Sequence, residues 1–331
     1  MNAHRPGQDR PGVRGLSVFT RSVAVIVLVG LAVLAACSSD DRVAESETGA
    51  TGSASSTGST APSSTTPPVI VAAARPSGAA DPGTAEWYQG PAPDGRRVTL
   101  GVYRPVGRPK GTVMILNGAD GLRRQYEDLA ARFSARGYIA VVGCWYDKSA
   151  ASRAPDAIDC PNGPAWKGMN AASVADVDAL VAAIRDVPGV DAEQMVVVGH
   201  SAGGGVALLR AGLENTNEPV VSSSGLLART PGSSATDLYA IDHAATIRVP
   251  VFVIHGTADP ICPLEQAQTF VAALTRAGNP PKTLYLDAPA NHAFPFQGEA
   301  CGDDPAIALS DRYVREVVDW MATLPSRNGR R

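Results

Sequence analysis

The segment Met195–Leu209, MVVVGHSAGGGVALL, reads as an apolar run, a glycine-rich break and a second apolar run. MVVVGH is short and rich in β-branched residues, as a strand buried on both faces must be. Ser201 to Leu213 suits a helix. The five residues Gly199-His200-Ser201-Ala202-Gly203 therefore have to turn the chain from strand to helix within a few bonds. Such a turn forces its middle residue into a sparsely populated backbone conformation and demands small neighbours. It also lifts the Ser201 hydroxyl clear of the backbone. The hydroxyl then sits at a helix N-terminus, where partial positive charge steadies a developing anion. Gly203, Gly204 and Gly205 let that helix approach the sheet. Two other uses of a glycine-rich turn fail on spacing. Leu208 stands where a dinucleotide-binding Gly-x-Gly-x-x-Gly needs its third glycine, and no Gly-Lys-Ser/Thr is present for a P-loop. The remaining alternative is a packing turn with an idle serine.

The same alternation of strand and helix runs from about residue 85 to 325. RVTLGVYRP, GTVMILN, YIAVVGC, PVVSSSG, VPVFVIHG and KTLYLDAP read as further strands. LRRQYEDLAARFSARG, with Leu122, Tyr126, Leu129 and Phe133 at helical spacing, reads as a helix stopped at Gly137. AASVADVDALVAAIRDV is a second, stopped by Pro188, and others fall near Leu264–Ala277 and Ala306–Leu324. Strands alternating with helices imply an α/β fold, a mostly parallel sheet covered on both faces, with any site at the carboxyl ends of the strands. About two dozen residues separate SSSG from IRVPVF, which leaves no room for a large inserted lid.

Upstream the chain changes character. Arg5, Arg10, Arg14 and Arg21 precede SVAVIVLVGLAVLAAC, whose apolar core of about a dozen residues suits a secretory signal better than a membrane span. Its end, Leu34-Ala35-Ala36-Cys37, resembles the bacterial lipobox. That resemblance implies cleavage after residue 36 and diacylglycerol on Cys37, anchoring the protein to the outer face of the cytoplasmic membrane or to the envelope. Residues 37–84 are dominated by Ser, Thr, Gly, Ala and Pro and are expected to be a disordered tether. About 40 such residues give a root-mean-square reach on the order of 35 Å. Residues 326–331 are expected to be a disordered tail. The net charge of −3 and the lack of a basic stripe exclude a nucleic-acid partner. Four cysteines remain, Cys144, Cys160, Cys262 and Cys301. In an exported domain they suggest two disulfides, with three possible pairings. Without a Cys-x-x-Cys or histidine-rich cluster no metal is expected.

A serine nucleophile needs a base, and the chain has only five histidines. His4 lies in the signal. The His200 side chain should point away from the Ser201 face. His255 ends a strand and suits a packed or hydrogen-bonded role, and His243 lies in an uncertain segment before that strand. His292 follows the last apolar strand, in APANHAF, at the expected active edge. The acid that orients it is best sought at Asp259, just past a buried strand in HGTADPICP, with Asp287 and Glu265 as rivals. An oxyanion hole requires backbone N–H donors. Ala202, next after the serine, is one candidate, and Ala119 in the NGADG loop is the other. Trp145, Tyr146 and Trp166 are placed by position alone at either the site or the core.

The order Ser201, Asp259, His292, carried by GHSAG, HGTADPICP and NHAF, resembles that of the α/β-hydrolase superfamily. The likeness covers about residues 85–325 and leans to the compact, lidless dienelactone-hydrolase-like and polyester-hydrolase-like branch. It implies a serine hydrolase that cleaves carboxylic esters of small molecules, lipids or polymers through an acyl-enzyme, with no cofactor, working as a monomer. An acyltransferase or peptidase with the same three residues, and a non-catalytic binding lipoprotein on the same scaffold, are the alternatives. The sequence departs from the branch in two places. Typical dienelactone hydrolases use a cysteine nucleophile where Ser201 stands, and the usual His-Gly of the oxyanion loop is Asn117-Gly118. The implied fold also orders the cysteines. It favours Cys144–Cys160 within the long loop after YIAVV, worth about 3 kcal/mol in the chain-entropy model. It likewise favours Cys262–Cys301, bracing the acid loop against the base loop.

Overall fold

The computed structural model describes residues 70–79, 85–92, 95–147, 156–160, 163–230, 233–287, 290–296 and 305–325. All of them belong to one compact unit, Thr65–Arg331. The expected signal, Cys37, Cys301 and the tail lie outside the described residues.

In chain order the strands are β1 Val71–Ala72, β2 Glu86–Pro91, β3 Arg97–Tyr103, β4 Thr112–Leu116, β5 Ile139–Gly143, β6 Met195–His200, β7 Val220–Ser223, β8 Val251–Gly256 and β9 Lys282–Leu286. The helices are α1 Arg124–Ala135, α2 Ala171–Arg185, α3 Ala202–Leu213, α4 Leu264–Arg276 and α5 Pro305–Thr323. The strands form one nine-stranded sheet in the order β1-β2-β3-β5-β4-β6-β7-β8-β9. The pairs from β1 to β5 are antiparallel, and those from β5 through β4 to β9 are parallel. Each central strand is wholly buried, as its run of Val, Ile and Met requires. Helices α2, α3 and α4 cover one face, and α1 and α5 cover the other. Side chains aimed at helix ends set some boundaries: Asn170 caps α2, its Oδ1 accepting from the N–H groups of Ala172 and Ser173.

Two expectations need correction. The tether does not run unstructured to residue 84. Val71 pairs with Gln89 and Ala72 with Tyr88, and Ile70 and Ala79 are buried, so the sheet begins inside the stretch read as disordered. A two-residue edge strand held by backbone bonds needs no long apolar pattern, and the aliphatic VIVAAA run within a polar region is its only mark. The second correction concerns Cys262, a buried free thiol. The turn that carries it is closed by hydrogen bonds instead, Asp259 Oδ1 accepting from Ile261 N and Cys262 N at 2.9 Å each. Its expected partner, Cys301, is outside the described residues. Cys144 and Cys160 are joined, with Cα atoms 5.5 Å apart, and close the loop after β5.

Candidate active site

Register brings the key loops together. Leu116 pairs with Gly199, so the loop after β4 adjoins the turn after β6. Gly256 pairs with Leu286, so the loops carrying Asp259 and His292 leave the sheet side by side.

Ser201 has φ +53° and ψ −120°, one of three described non-glycine residues with positive φ. A backbone of that kind costs about 1–3 kcal/mol and persists only where neighbours over-determine it. Here they do. Ser201 N donates to Ser223 O at 2.9 Å, and Ser201 O accepts from Gly205 N and Leu226 N at 3.1 Å each. Side chains are excluded around it: a Cβ on Gly199 would lie 2.5 Å from the Gly203 backbone, and one on Gly203 2.5 Å from Leu116 O. The serine makes no capping bond to its own helix. Ala202 opens α3, so its N–H is one of the orphan donors of a helix start.

His292 Nδ1 donates to Asp259 Oδ2 at 2.9 Å. The Asp259 side chain is wholly buried. Burial alone would raise its pKa, but hydrogen bonds from His255 and His292, the charge of His292 and the Cys262 amide outweigh that and hold the carboxyl well below its ordinary range. A neutral His292 with its proton on Nδ1 presents its Nε2 lone pair as a base. The rival acids lie elsewhere: Asp287 and Glu265 are exposed and make no contact with His292 among the described hydrogen bonds. His243 packs beside Gly212 of α3. His255 is fully buried, its Nε2 2.7 Å from Cys262 O and 3.4 Å from Asp259 Oδ2, as a residue that supports the acid.

Sequence reasoning set His200 aside, and the structure gives it a place. Both of its ring nitrogens are engaged with groups other than Ser201. Its Nε2 donates to the His292 carbonyl at 2.9 Å, and its Nδ1 lies 3.1 Å from the Tyr126 hydroxyl. The His200 and His292 rings are 5.0 Å apart. Burial and the neighbouring His292 lower its pKa to about 4, so it is neutral near pH 7. Ser201 is thus tied to the His292 loop through its own neighbour, although no hydrogen bond joins Ser201 to His292 in this structure.

The loop after β4 lies against the serine. A Cβ on Gly118 would be 3.0 Å from Ser201 Cβ, a close approach that favours glycine. Ala119 follows in an exposed turn closed by Gly121 N donating to Gly118 O at 3.1 Å. Asn117, fully buried, donates from Nδ2 to Gly118 O at 3.1 Å. Tyr126 and Tyr146 also grip this loop. The sequence reading placed Tyr126 on a core-facing helix stripe and left Tyr146 between site and core. The reach of a phenol hydroxyl leaves no trace in hydrophobic periodicity. Trp145 is buried, and Trp166, partly exposed, packs on it with ring centroids 5.5 Å apart. Among the described residues no group of three His, Cys, Asp or Glu is placed to hold a metal ion.

This sheet order, with a strained serine after β6 and a carboxylate–imidazole pair in the loops after β8 and β9, defines an α/β-hydrolase. The chain matches the dienelactone hydrolase family over residues 100–324, most of its length, and belongs to that family of hydrolases. Over 85 residues it is 33% identical to a Mycobacterium tuberculosis protein assigned as the carboxylic ester hydrolase LipM, covering 25% of this chain and only 19% of that protein. Among solved structures it resembles a Klebsiella pneumoniae protein assigned as a dienelactone hydrolase, with a TM-score of 0.58 at 21% identity over 77% of this chain and 100% of the other. It also resembles esterase 2 of Thermogutta terrifontis bound to propionate, with a TM-score of 0.55 at 19% identity over 74% of this chain and 97% of the other. The same esterase phosphorylated by paraoxon gives 0.55 at 20% identity, over 75% and 98%. At such identities the structural likeness is one of fold.

Proposed function

We propose that the protein is a serine esterase in which Ser201 is the nucleophile, His292 the general base and acid, and Asp259 the residue that orients His292. The observation that carries this reading is the strained Ser201 at the strand–helix turn, set beside a buried carboxylate bonded at 2.9 Å to the Nδ1 of His292. His292 Nε2 takes the Ser201 proton as the oxygen attacks the ester carbon. The amides of Ala202 and Ala119 receive the negative oxygen of the tetrahedral intermediate. Its collapse expels the alcohol, protonated by the imidazolium, and leaves an acyl-serine. Water, deprotonated by the same ring, then releases the acid and restores Ser201. The Ser201–His292 hydrogen bond closes with substrate in place, as catalytic contacts commonly do. The family match and the carboxylic ester hydrolase among the relatives support ester substrates, whether small molecules, lipids or polymers.

The test is turnover of p-nitrophenyl acetate and butyrate by the wild type and Ser201→Ala. Loss of turnover and of fluorophosphonate labelling in a folded variant is expected, and a variant that keeps the wild-type rate refutes the assignment. Amide, thioester and alcohol-acceptor substrates on the wild type separate the peptidase and acyltransferase readings.

We also propose that the chain is exported and anchored through a lipid on Cys37, which the lipobox-like Leu34–Cys37 supports. Cys37→Ser in the full chain should release the protein from the membrane fraction; a membrane-bound variant counts against the anchor.

A further inference from the structure

We infer that Tyr146 is a positioning residue of the reaction: with Tyr126 it clamps the Gly118 peptide so that the Ala119 N–H faces the reacting carbonyl. This inference rests on the serine esterase reading above.

The two phenols hold Gly118 by its two backbone polar groups, one at the N–H and one at the C=O. Gly118 N donates to the Tyr126 hydroxyl at 2.8 Å. The Tyr146 hydroxyl donates to Gly118 O and accepts from Gly121 N at 2.8 Å, so one oxygen ties both ends of the turn. A trans peptide places its C=O and N–H on opposite sides. With the Gly118 carbonyl turned toward Tyr146, Asn117 and Gly121, the Ala119 N–H is turned away from them. Among the described residues that N–H has no partner, and a Cβ added to the neighbouring Gly118 would lie 3.0 Å from Ser201 Cβ. The clamp is itself held. The Tyr146 ring is fully buried, edge-on to Trp145 at 4.6 Å and tilted against Trp166 at 5.1 Å. It lies two residues after Cys144, whose disulfide to Cys160 closes this loop. Burial pushes both phenol pKa values up, so each hydroxyl keeps its proton at neutral pH and serves geometry rather than proton transfer.

Removing only the oxygen isolates this role. In Tyr146→Phe the ring packing survives. Gly118 O keeps Asn117 Nδ2 and Gly121 N as donors, and Gly121 N keeps Gly118 O as acceptor, so no backbone group is orphaned. What is lost is one of the three donors that fix the plane of the Gly118–Ala119 peptide, and with it the tie from Tyr146 to both ends of the turn.

The experiment measures kcat and KM for p-nitrophenyl acetate, with active sites counted by fluorophosphonate titration, and the affinity of a boronic acid that forms a tetrahedral adduct on the serine. For Tyr146→Phe, kcat per titrated site should fall about 10–100-fold, less than the 10²–10³-fold that follows deletion of a donor outright. KM should stay within about threefold, and boronate affinity should fall in parallel with kcat/KM. Counting titrated sites keeps the result decisive even if the variant melts earlier, because unfolded molecules are not titrated. Tyr126→Phe, which removes the grip on Gly118 N, should show the same signature. A Tyr146→Phe rate per site within twofold of wild type, or a lower rate with unchanged boronate affinity, overturns the clamp. Ser201→Ala run alongside separates the two failures: if it is inactive while Tyr146→Phe is fully active, only the clamp falls; if it is active, the esterase reading falls first.

Discussion

The two ends of the same sheet differ in kind. At the amino ends of the strands lies a cleft of about 790 Å³, lined by residues such as Lys110, Gln194, Pro219, Arg248 and Leu324. Its lining is of an ordinary kind: exposed charges and prolines that open strands. At the carboxyl ends the space is cramped. Backbones approach until only glycine fits, Ser201 is held in a strained conformation, and a buried carboxylate leans on two imidazoles. What marks the chemical end is unspent capacity, in a hydroxyl with no capping partner, orphan amides and an imidazole lone pair fixed by its neighbour.

The largest expected effect that tests this contrast is Ser201→Ala, which should lower kcat on p-nitrophenyl esters by about 10⁴-fold or more. Asp259→Asn should follow with about 10³–10⁴-fold, because the amide favours the wrong tautomer of His292; steady-state rates and a retained melting transition check it. A smaller effect concerns pH. His200 titrates near 4 in the folded protein, below the ordinary histidine value of about 6.5. The unfolded chain thus binds the extra proton first, and His200 erodes stability as pH falls from about 6.5 to about 4, with no further loss from this group below that. Asp259, whose pKa is depressed, adds its loss below about 4. Urea midpoints at pH 7 and 4.5 should converge more in His200→Asn than in the wild type; an equal drop in both removes His200 from this account. At the other end, Arg248→Ala in the large cleft should change kcat less than about twofold, as surface substitutions away from special features usually do little. A tenfold loss there would break the comparison.

Most of the architecture was open to reading in the sequence because the buried central strands are written as uninterrupted Val, Ile and Met, and the helices end at Gly137 and Pro188. The Ser201 turn was equally plain, since few strand-to-helix junctions carry that crowding of glycine. His292 and Asp259 followed from the sheet, whose carboxyl edge collects the loops after β8 and β9. What stayed hidden has physical reasons. Val71–Ala72 is a strand by virtue of its partner, and two residues cannot carry a period. The roles of His200, His255, Tyr126 and Tyr146 depend on where single polar atoms end, and a side chain can be core by its ring and functional by its tip. The inward turn of Cys262 depended on the Asp259 hydrogen bonds that close its loop, which cysteine spacing does not encode.

Cys262, sealed two per cent exposed behind the acid turn with its thiol pKa raised by burial to about 12, is inert while the turn is shut. Its alkylation, followed on the peptide that contains it, would therefore advance only when the Asp259 turn opens. The fold thereby supplies its own clock for how often the Asp259 turn comes apart, read at a thiol the sequence already carries.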